Sequence, residues 1–326
     1  MSSPERDVNS TSPFNTVADI EATRSDRYRR LFKSNVVAPL RILITDPRGA
    51  FGLATLLTYV LAGTIGVWLI PYPENSSTIL MGAFESTEHI LGTNRYGADL
   101  FGLIVHATPA MLKMIAGGAV FTIIIATAVG TLSGYKGGRT DGLLMLITDS
   151  VIAIPGLPLI IVLGVIVQPT NPFVVGILIS IPRWAGLARA IRSEVLSLRE
   201  QSFVEASRIN GLSTPTVIRR ELVPNLMPFI TINFVNASRG VIFGSVALYF
   251  LFILPEPDFL NWGVMMNRAY SSTGALYTWE TAHWLIFPMI AIIWLSFGLI
   301  MLGQAADRIF NPRLRARHAQ PDEVND

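Results

Sequence analysis

Two ionisable residues lie well inside long apolar stretches, where a charge needs a specific reason, and a third, Arg183, lies toward one end of the run 173–188. Asp149 falls within the run 143–167, and Arg239 lies about thirteen residues into the run 226–254. A charge at such depth in a bilayer costs about 3 kcal/mol or more unless it faces protein or water. We interpret the two residues either as an interior ion pair that joins two helices, which is the preferred interpretation, or as charged contacts along a solute pathway.

The residues that commonly perform catalysis occur without the spacing that catalysis requires. The sequence contains no cysteine, no GxxxxGK[ST] phosphate loop and no HExxH zinc motif. The histidines are scattered along the chain at His89, His106, His283 and His318. We therefore predict no enzyme activity, no metal site and no cofactor in this chain. The sequence pI of about 9.0 would fit a nucleic-acid partner, but a membrane protein with basic cytoplasmic loops gives the same value, and we expect no nucleic-acid partner.

The elements that must position these charges are apolar runs near the length that crosses a bilayer, about 20 residues. Hydrophobic residues make up 51% of the chain. Together these features predict an all-α polytopic membrane protein with six spans, at Phe51–Ile70, Ile115–Leu132, Leu143–Val167, Phe173–Ala188, Leu226–Leu254 and Trp284–Leu302.

The third run contains Pro155 and Pro158 on either side of Gly156. Proline removes a backbone donor and disturbs the helical hydrogen-bond ladder. Broken helices are tolerated in membranes where the backbone lines a cavity or packs on protein. Either a pore-lining segment or a simple kink fits this pattern.

Basic residues are distributed very unevenly between the two predicted faces. Segments on the side of the termini hold 21 Lys and Arg, whereas the opposite side holds only Arg95, Lys113 and Arg268. The positive-inside rule therefore predicts that both termini are cytoplasmic and that the protein lies in the cell membrane. The resulting domains are a cytoplasmic tail at 1–50, a membrane domain at 51–303 and a C-terminal tail at 304–326. Within the first tail, Lys33–Asp46 is either an interfacial helix or an ordinary linker.

A polar cassette, Arg199–Asn225, separates the fourth and fifth runs. Apolar residues at helical spacing predict that the fourth span continues as a helix from Trp184 to about Asn210. Gly211 follows where a helix end favours a residue that tolerates positive φ.

A second short helix is predicted after Gly211. Thr214 fits the N-cap position, and Pro215 fits the first helical position. This helix would run from Thr216 to Val223 and stop at Pro224. The cassette would then project from the membrane as helix, tight turn and helix, a shape suited to contact with another protein.

The segment EASRINGLSTPTVIRRELVP resembles the EAA loop of ABC importer permeases. Five residues fall on the positions of that motif, with serine in its third slot: Glu205, Ala206, Ser207, Gly211 and Pro224. The resemblance places the EAA loop at residues 189–224. It implies that this loop couples the chain to an ATP-binding subunit.

Further segments are similar to one branch, the C-type permeases of dipeptide, oligopeptide and nickel importers. These segments are LGTNRYGADLF, ARAIRSEVLSLREQSF and the tail NPRLR. The likeness extends from about residue 50 to 315 and implies the type I ABC importer permease fold.

Two segments depart from that branch. Asn94 and Ala98 replace the usual Asp and Arg of the first segment. Ser245, Tyr249 and Phe252 stand where the branch commonly has Glu, Ser and Gly. These positions bear on the solute and the outer gate rather than on coupling.

The resemblance implies a complex and a mechanism. Two permease subunits would form the pathway, two ABC ATPases holding ATP and Mg²⁺ would dock on the EAA loops, and an external solute-binding protein would deliver a peptide or similar solute. Transport would proceed by alternating access. An ion-coupled secondary transporter using Asp149 and Arg239 is the alternative, and a membrane scaffold that moves nothing is a further one.

Overall fold

The computed structural model describes residues 38–309, with side chains from 40 to 306. Most of both predicted tails therefore lies outside the described residues. Within that range, the regular elements are helices, and one isolated antiparallel bridge joins Thr93 to Asp99.

Two helices open the described chain. Helix α1, Ala38–Thr45, places a helix in the segment where an interfacial one is predicted, and its Ile42 is buried while Leu40 and Ile44 are exposed. Helix α2, Pro47–Leu69, follows at once and is long enough to span a bilayer. The carboxylate of Asp46 caps α2 by accepting a 2.9 Å bond from the N–H of Arg48.

Three further helices have spanning length. These are α3 (Leu100–Lys136), α9 (Thr214–Phe250) and α11 (Trp279–Ile309). Helix α3 begins 15 residues before the predicted Ile115, at a cap formed by Asp99, which accepts a 2.7 Å bond from the N–H of Gly102. His106, Pro109 and Lys113 interrupt the first half of α3 and so hide its start from a search for apolar runs.

The third and fourth runs are each a pair of helices with a bend. Helix α4, Gly138–Ala153, meets α5, Gly156–Val167, at 87°. Helix α6, Pro172–Ser180, meets α7, Trp184–Leu198, at 59°. The described residues thus contain four helices of spanning length, or six candidate spans if each bent pair crosses once.

Helix α3 lies at the centre of the fold, in contact with α6, α7 and α9. Its approach to α6 is close enough to require glycine. A Cβ built on Gly118 would lie 2.5 Å from the carbonyl oxygen of Gly176, and one built on Gly176 would overlap the carbonyl of Met114. Small residues allow such backbone contact between membrane helices.

Two apolar cores surround α3. The larger core joins α3 to α9, α11 and a helix that sequence patterning does not predict, α10 (Trp262–Thr273). The indole of Trp262 is fully buried and donates a 3.2 Å bond to the carbonyl of Ile104. The smaller core, here named the cassette core, consists of Ala126, Ala188, Ile191, Val195, Val204, Val217, Leu222, Leu226 and Ile230.

Candidate functional site

The polar cassette begins with a turn where a continuous helix was predicted. Helix α7 ends at Leu198, and a separate helix α8, Ser202–Ile209, follows the turn. Val195 on α7 and Val204 on α8 are both buried in the cassette core. Nine residues at about 100° each would put them on opposite faces of one straight helix. The chain turns because only then can both be buried against the same core.

Gly211 ends α8 in the conformation that the sequence predicts, with φ of 71°. The N–H of Leu212 bonds to the carbonyl of Ser207 at 3.2 Å, and the N–H of Gly211 bonds to the carbonyl of Arg208 at 2.9 Å. This is the Schellman arrangement, which satisfies the last carbonyls of a helix and favours glycine at its left-handed position.

The second helix starts one residue earlier than predicted. Ser213, rather than Thr214, occupies the N-cap position, and Pro215 lies in the first turn. The hydroxyls of Ser213 and Thr216 are 2.8 Å apart and close this turn.

Pro224 does not end the second helix, and that prediction is wrong. The helix continues to Phe250 as α9. Immediately before Pro224, the N–H of Val223 bonds to the carbonyl of Ile218, five residues back, in a wide turn of π type. This turn shifts the hydrogen-bond register before the proline, which has no N–H to donate, and so lets the helix proceed.

The five EAA-type residues divide between the surface and the interior. Glu205, Ala206, Gly211 and Pro224 are exposed, whereas Ser207 is 8% exposed and faces the cassette core. A small residue suits that inward position.

The exposed face of α8 and its turn is apolar at its centre. Ile209 is 80% exposed, Leu212 is 37% exposed, and Ala206, three residues before Ile209, is exposed as well. We name Ala206, Ile209 and Leu212 the apolar tip. Glu205 lies at its edge. Exposed aliphatic residues beside a carboxylate are typical of a protein contact surface.

A polar cleft of about 700 Å³ lies beside the apolar tip, where the end of α3 meets the cassette. It is lined by Tyr135, Lys136, Arg199, Glu200, Glu205, Arg208 and Thr214. The guanidinium of Arg208 lies 4.9 Å from the centre of the Tyr135 ring, a cation–π contact that fixes one wall.

Two ion pairs fasten α7 to α4. Arg192 donates two hydrogen bonds to Asp141, at 2.6 and 2.5 Å, and the hydroxyl of Ser133 donates to the same carboxylate. Arg189 pairs with Asp149 in a more exposed position. The helix that leads into the cassette is thus clamped to the helix that follows α3.

The interior pair between Asp149 and Arg239 is not formed, because Asp149 faces Arg189 instead. Arg239 borders a separate pocket of about 140 Å³ between α9 and α11. Its Nε atom is buried and has no hydrogen-bond partner among residues 38–309. Arg239 makes no ion pair within that part of the chain.

The bend of the third run lies at the predicted prolines. Pro155 is the N-cap of α5, and Pro158 lies in its first turn. The apolar pattern of the sequence does not predict the corresponding bend of the fourth run, which is expected as one continuous span with its arginine, Arg183, toward one end. The signal was Pro182 directly before Arg183 inside an apolar run.

No cluster of three or more metal-ligating side chains occurs in the described part of the chain. The geometry described above is that of a membrane protein with an exposed contact surface.

Comparison with known proteins identifies the class. Residues 126–316, more than half of the chain, match the family of binding-protein-dependent transport system inner membrane components. The chain therefore belongs to this family and is a permease subunit of an ABC importer. The alternative of an ion-coupled secondary transporter is set aside by this membership.

Named relatives narrow the branch. The chain is 29% identical over 267 residues to the dipeptide transport system permease protein DppC of Bacillus subtilis, covering 81% of each chain. It is 28% identical over 296 residues to the oligopeptide permease OppC of Haemophilus influenzae, covering 89% and 88%. It is also 28% identical over 271 residues to the glutathione permease GsiD of Pectobacterium atrosepticum, covering 82% and 87%.

Proposed function

We propose that this chain is one of two permease subunits that form a pathway for peptides across the cell membrane. The exposed apolar tip, carried on a cassette that resembles the EAA loop, is the observation that supports the proposal most. Three of the relatives are named as permeases for dipeptides, oligopeptides and glutathione, and these names support a peptide as the solute.

The proposed topology has six spans with both termini cytoplasmic. Each bent helix pair then crosses the bilayer once. The membrane domain is 51–303, and the tails at 1–50 and 304–326 are cytoplasmic. The excess of basic residues on the side of the termini, 20 against three when Arg183 is left out as a residue of the bent fourth span, supports this orientation.

The proposed partners are a second permease, two ABC ATPases and an external solute-binding protein. ATP and Mg²⁺ are bound by the ATPases, which hydrolyse the nucleotide. The apolar tip enters a cleft on one ATPase, and Glu205 makes a polar contact at its rim. Gly211 shapes the turn, while Ser207 and the wide turn before Pro224 hold the cassette on its core.

Coupling proceeds through rigid elements. Closure of the ATPase dimer moves the two cassettes together, and α7 carries the motion because its two ion pairs join it to α4. Helix α4 meets α5 at the bend Ala153–Gly156, and α7 meets α6 at the bend Ser180–Trp184. At each bend the angle between the two helices can change. Such hinge motion around a solute pathway is alternating access.

The test is co-purification of the tagged chain with its co-expressed partners in mild detergent. Ile209→Asp places a charge in the centre of the apolar tip and is expected to lower ATPase recovery roughly tenfold or more, since central interface residues dominate affinity. Ile209→Leu keeps the apolar contact and is the matched control. The second permease should be recovered equally with both variants.

Two results would contradict this assignment. Undiminished ATPase recovery with Ile209→Asp would show that the apolar tip is not the docking surface. A wild-type chain that retains a second permease but no ATPase, in conditions that preserve known importer complexes, would contradict the coupling role altogether.

A further inference from the structure

The two helix bends of the membrane domain border one cavity of about 420 Å³. Gly156 and Leu157 line it at the start of α5, and Pro182 and Arg183 line it at the bend between α6 and α7. Gly244 and Leu248 of α9 form the opposite wall. Among its lining residues, Arg183 alone carries a charge, and the others are apolar or glycine.

Arg183 lies near the middle of the membrane. Helix α6 has nine residues between Pro172 and Ser180, which span about 14 Å at 1.5 Å per residue. The hydrocarbon core of a bilayer is about 30 Å thick. Arg183 follows α6 within three residues and therefore lies near mid-depth in the proposed topology.

The guanidinium of Arg183 fits a groove made by two glycines of α9. A Cβ built on Gly240 would overlap its Nη1 atom, and one built on Gly244 would lie 3.1 Å from Nη2. Gly240 and Gly244 are one helical turn apart, so together they leave a notch on a single face of α9. The notch places the guanidinium at the cavity.

No described residue neutralises this cation. The side chain of Arg183 makes no ion pair and no hydrogen bond within residues 38–309. It is only half-buried and faces a cavity with room for a ligand. An unpaired charge among apolar walls is unfavourable, so such residues inside membranes commonly mark solute pathways.

The backbone adds positive potential at the same place. Helices α5 and α7 both begin at the cavity, at Gly156 and directly after Arg183. The N-terminal end of a helix carries partial positive charge, and broken helices of transporters direct such ends at anionic groups of the solute.

We propose that Arg183 binds the carboxylate of the transported peptide as it passes the middle of the membrane. This inference rests on the proposed function as a peptide permease. Every linear peptide ends in a carboxylate whatever its side chains, and a guanidinium pairs with a carboxylate through two parallel hydrogen bonds. One arginine among apolar walls therefore recognises the feature that peptides share and leaves their side chains unselected.

The experiment measures ATP-driven uptake by the complete complex, with its binding protein, in proteoliposomes. The two probes are trialanine and trialanine amide, which differ only in the terminal carboxylate. Each variant rate is divided by the wild-type rate for the same probe, so the preference of the binding protein cancels. Arg183→Gln is expected to lower trialanine uptake roughly tenfold or more, as loss of a charge-assisted bond implies, with the amide little changed.

Two further variants sharpen the test. Arg183→Lys keeps the charge without the planar fork and should retain part of trialanine uptake. Gly240→Ala fills the notch and should lower trialanine uptake selectively, as Arg183→Gln does. Gly142→Ala is its control, since a Cβ at Gly142 meets nothing within 4 Å.

An equal fall in the uptake of both probes with Arg183→Gln would overturn the inference. Arg183 would then make a structural contact, for example with a carboxylate of the second permease, and the proposed function would stand. Transport of neither probe by the wild-type complex, with its ATPase active, would overturn the peptide assignment and this inference together.

Discussion

At the scale of single residues, Gly211 is needed for its backbone conformation and not for lack of space around it. Its φ of 71° disfavours any side chain, yet a Cβ there would meet no atom within 4 Å. A substitution therefore acts through the backbone alone, at a cost of about 1–2 kcal/mol for an ordinary residue and more for a β-branched one.

We expect Gly211→Val to abolish transport while membrane insertion stays intact, because the turn that presents Leu212 and Ile209 can no longer form. Gly211→Asn should retain most transport, since asparagine tolerates positive φ. Uptake and the amount of protein in the membrane are measured together. Gly142→Val is the control for bulk at an uncrowded helical glycine, and wild-type uptake by Gly211→Val would refute the assigned role.

At the scale of elements, the clamp between α4 and α7 joins the cassette to the bent helices. The pair of Arg192 with Asp141 is partly buried and doubly hydrogen-bonded, whereas both members of the pair of Arg189 with Asp149 are 53% exposed. Exposed pairs contribute about 0–1 kcal/mol, and hydrogen bonds to charged groups about 1.5–3 kcal/mol.

The two pairs should therefore differ in a double-mutant cycle. Asp141→Asn with Arg192→Gln is expected to give a coupling energy of about 1–3 kcal/mol in detergent unfolding. Asp149→Asn with Arg189→Gln should give less than about 1 kcal/mol. Equal coupling energies for the two cycles would show that α4 and α7 are joined differently.

The helices and turns differ in how well the sequence predicts them. Apolar runs locate the long helices, and Gly211 with its neighbours locates the turn of the cassette, because these signals are local. The break after Leu198 was missed because it depends on burying Val195 and Val204 against one core. Helix α10 was missed because it is short and is held by a distant partner, Ile104.

Side-chain partners were the least predictable feature. Asp149 was assigned to Arg239 on the ground that both lie in apolar runs, but position along a helix does not define which face a residue occupies in the packed bundle. The sequence places Arg183 toward the cytoplasmic end of a continuous fourth span, because nothing in the apolar pattern predicts the bend at Pro182. Its importance emerges only when α9 places Gly240 and Gly244 beside it.

At the scale of the whole molecule, the number of crossings depends on the two bent pairs. If each pair crosses once, the connection between α5 and α6 faces outward, as the segment between α2 and α3 does. If each pair re-enters and returns to the same side, that connection faces inward. The chain contains no cysteine, so one introduced thiol reports each position without background.

Three single-cysteine variants decide between these topologies, all at exposed positions: Thr87→Cys, Thr170→Cys and Ser197→Cys. With a membrane-impermeant maleimide on intact cells, six spans predict labelling at 87 and 170 and none at 197 until the membrane is opened. Four spans predict labelling at 87 alone. Because the connection at 170 lies between the two bends, whose angles are 87° and 59°, its side also determines whether the cavity at Arg183 lies within a crossing or within a re-entrant loop. Labelling at 170 only after opening the membrane would refute the proposed pathway geometry even if the docking surface were confirmed.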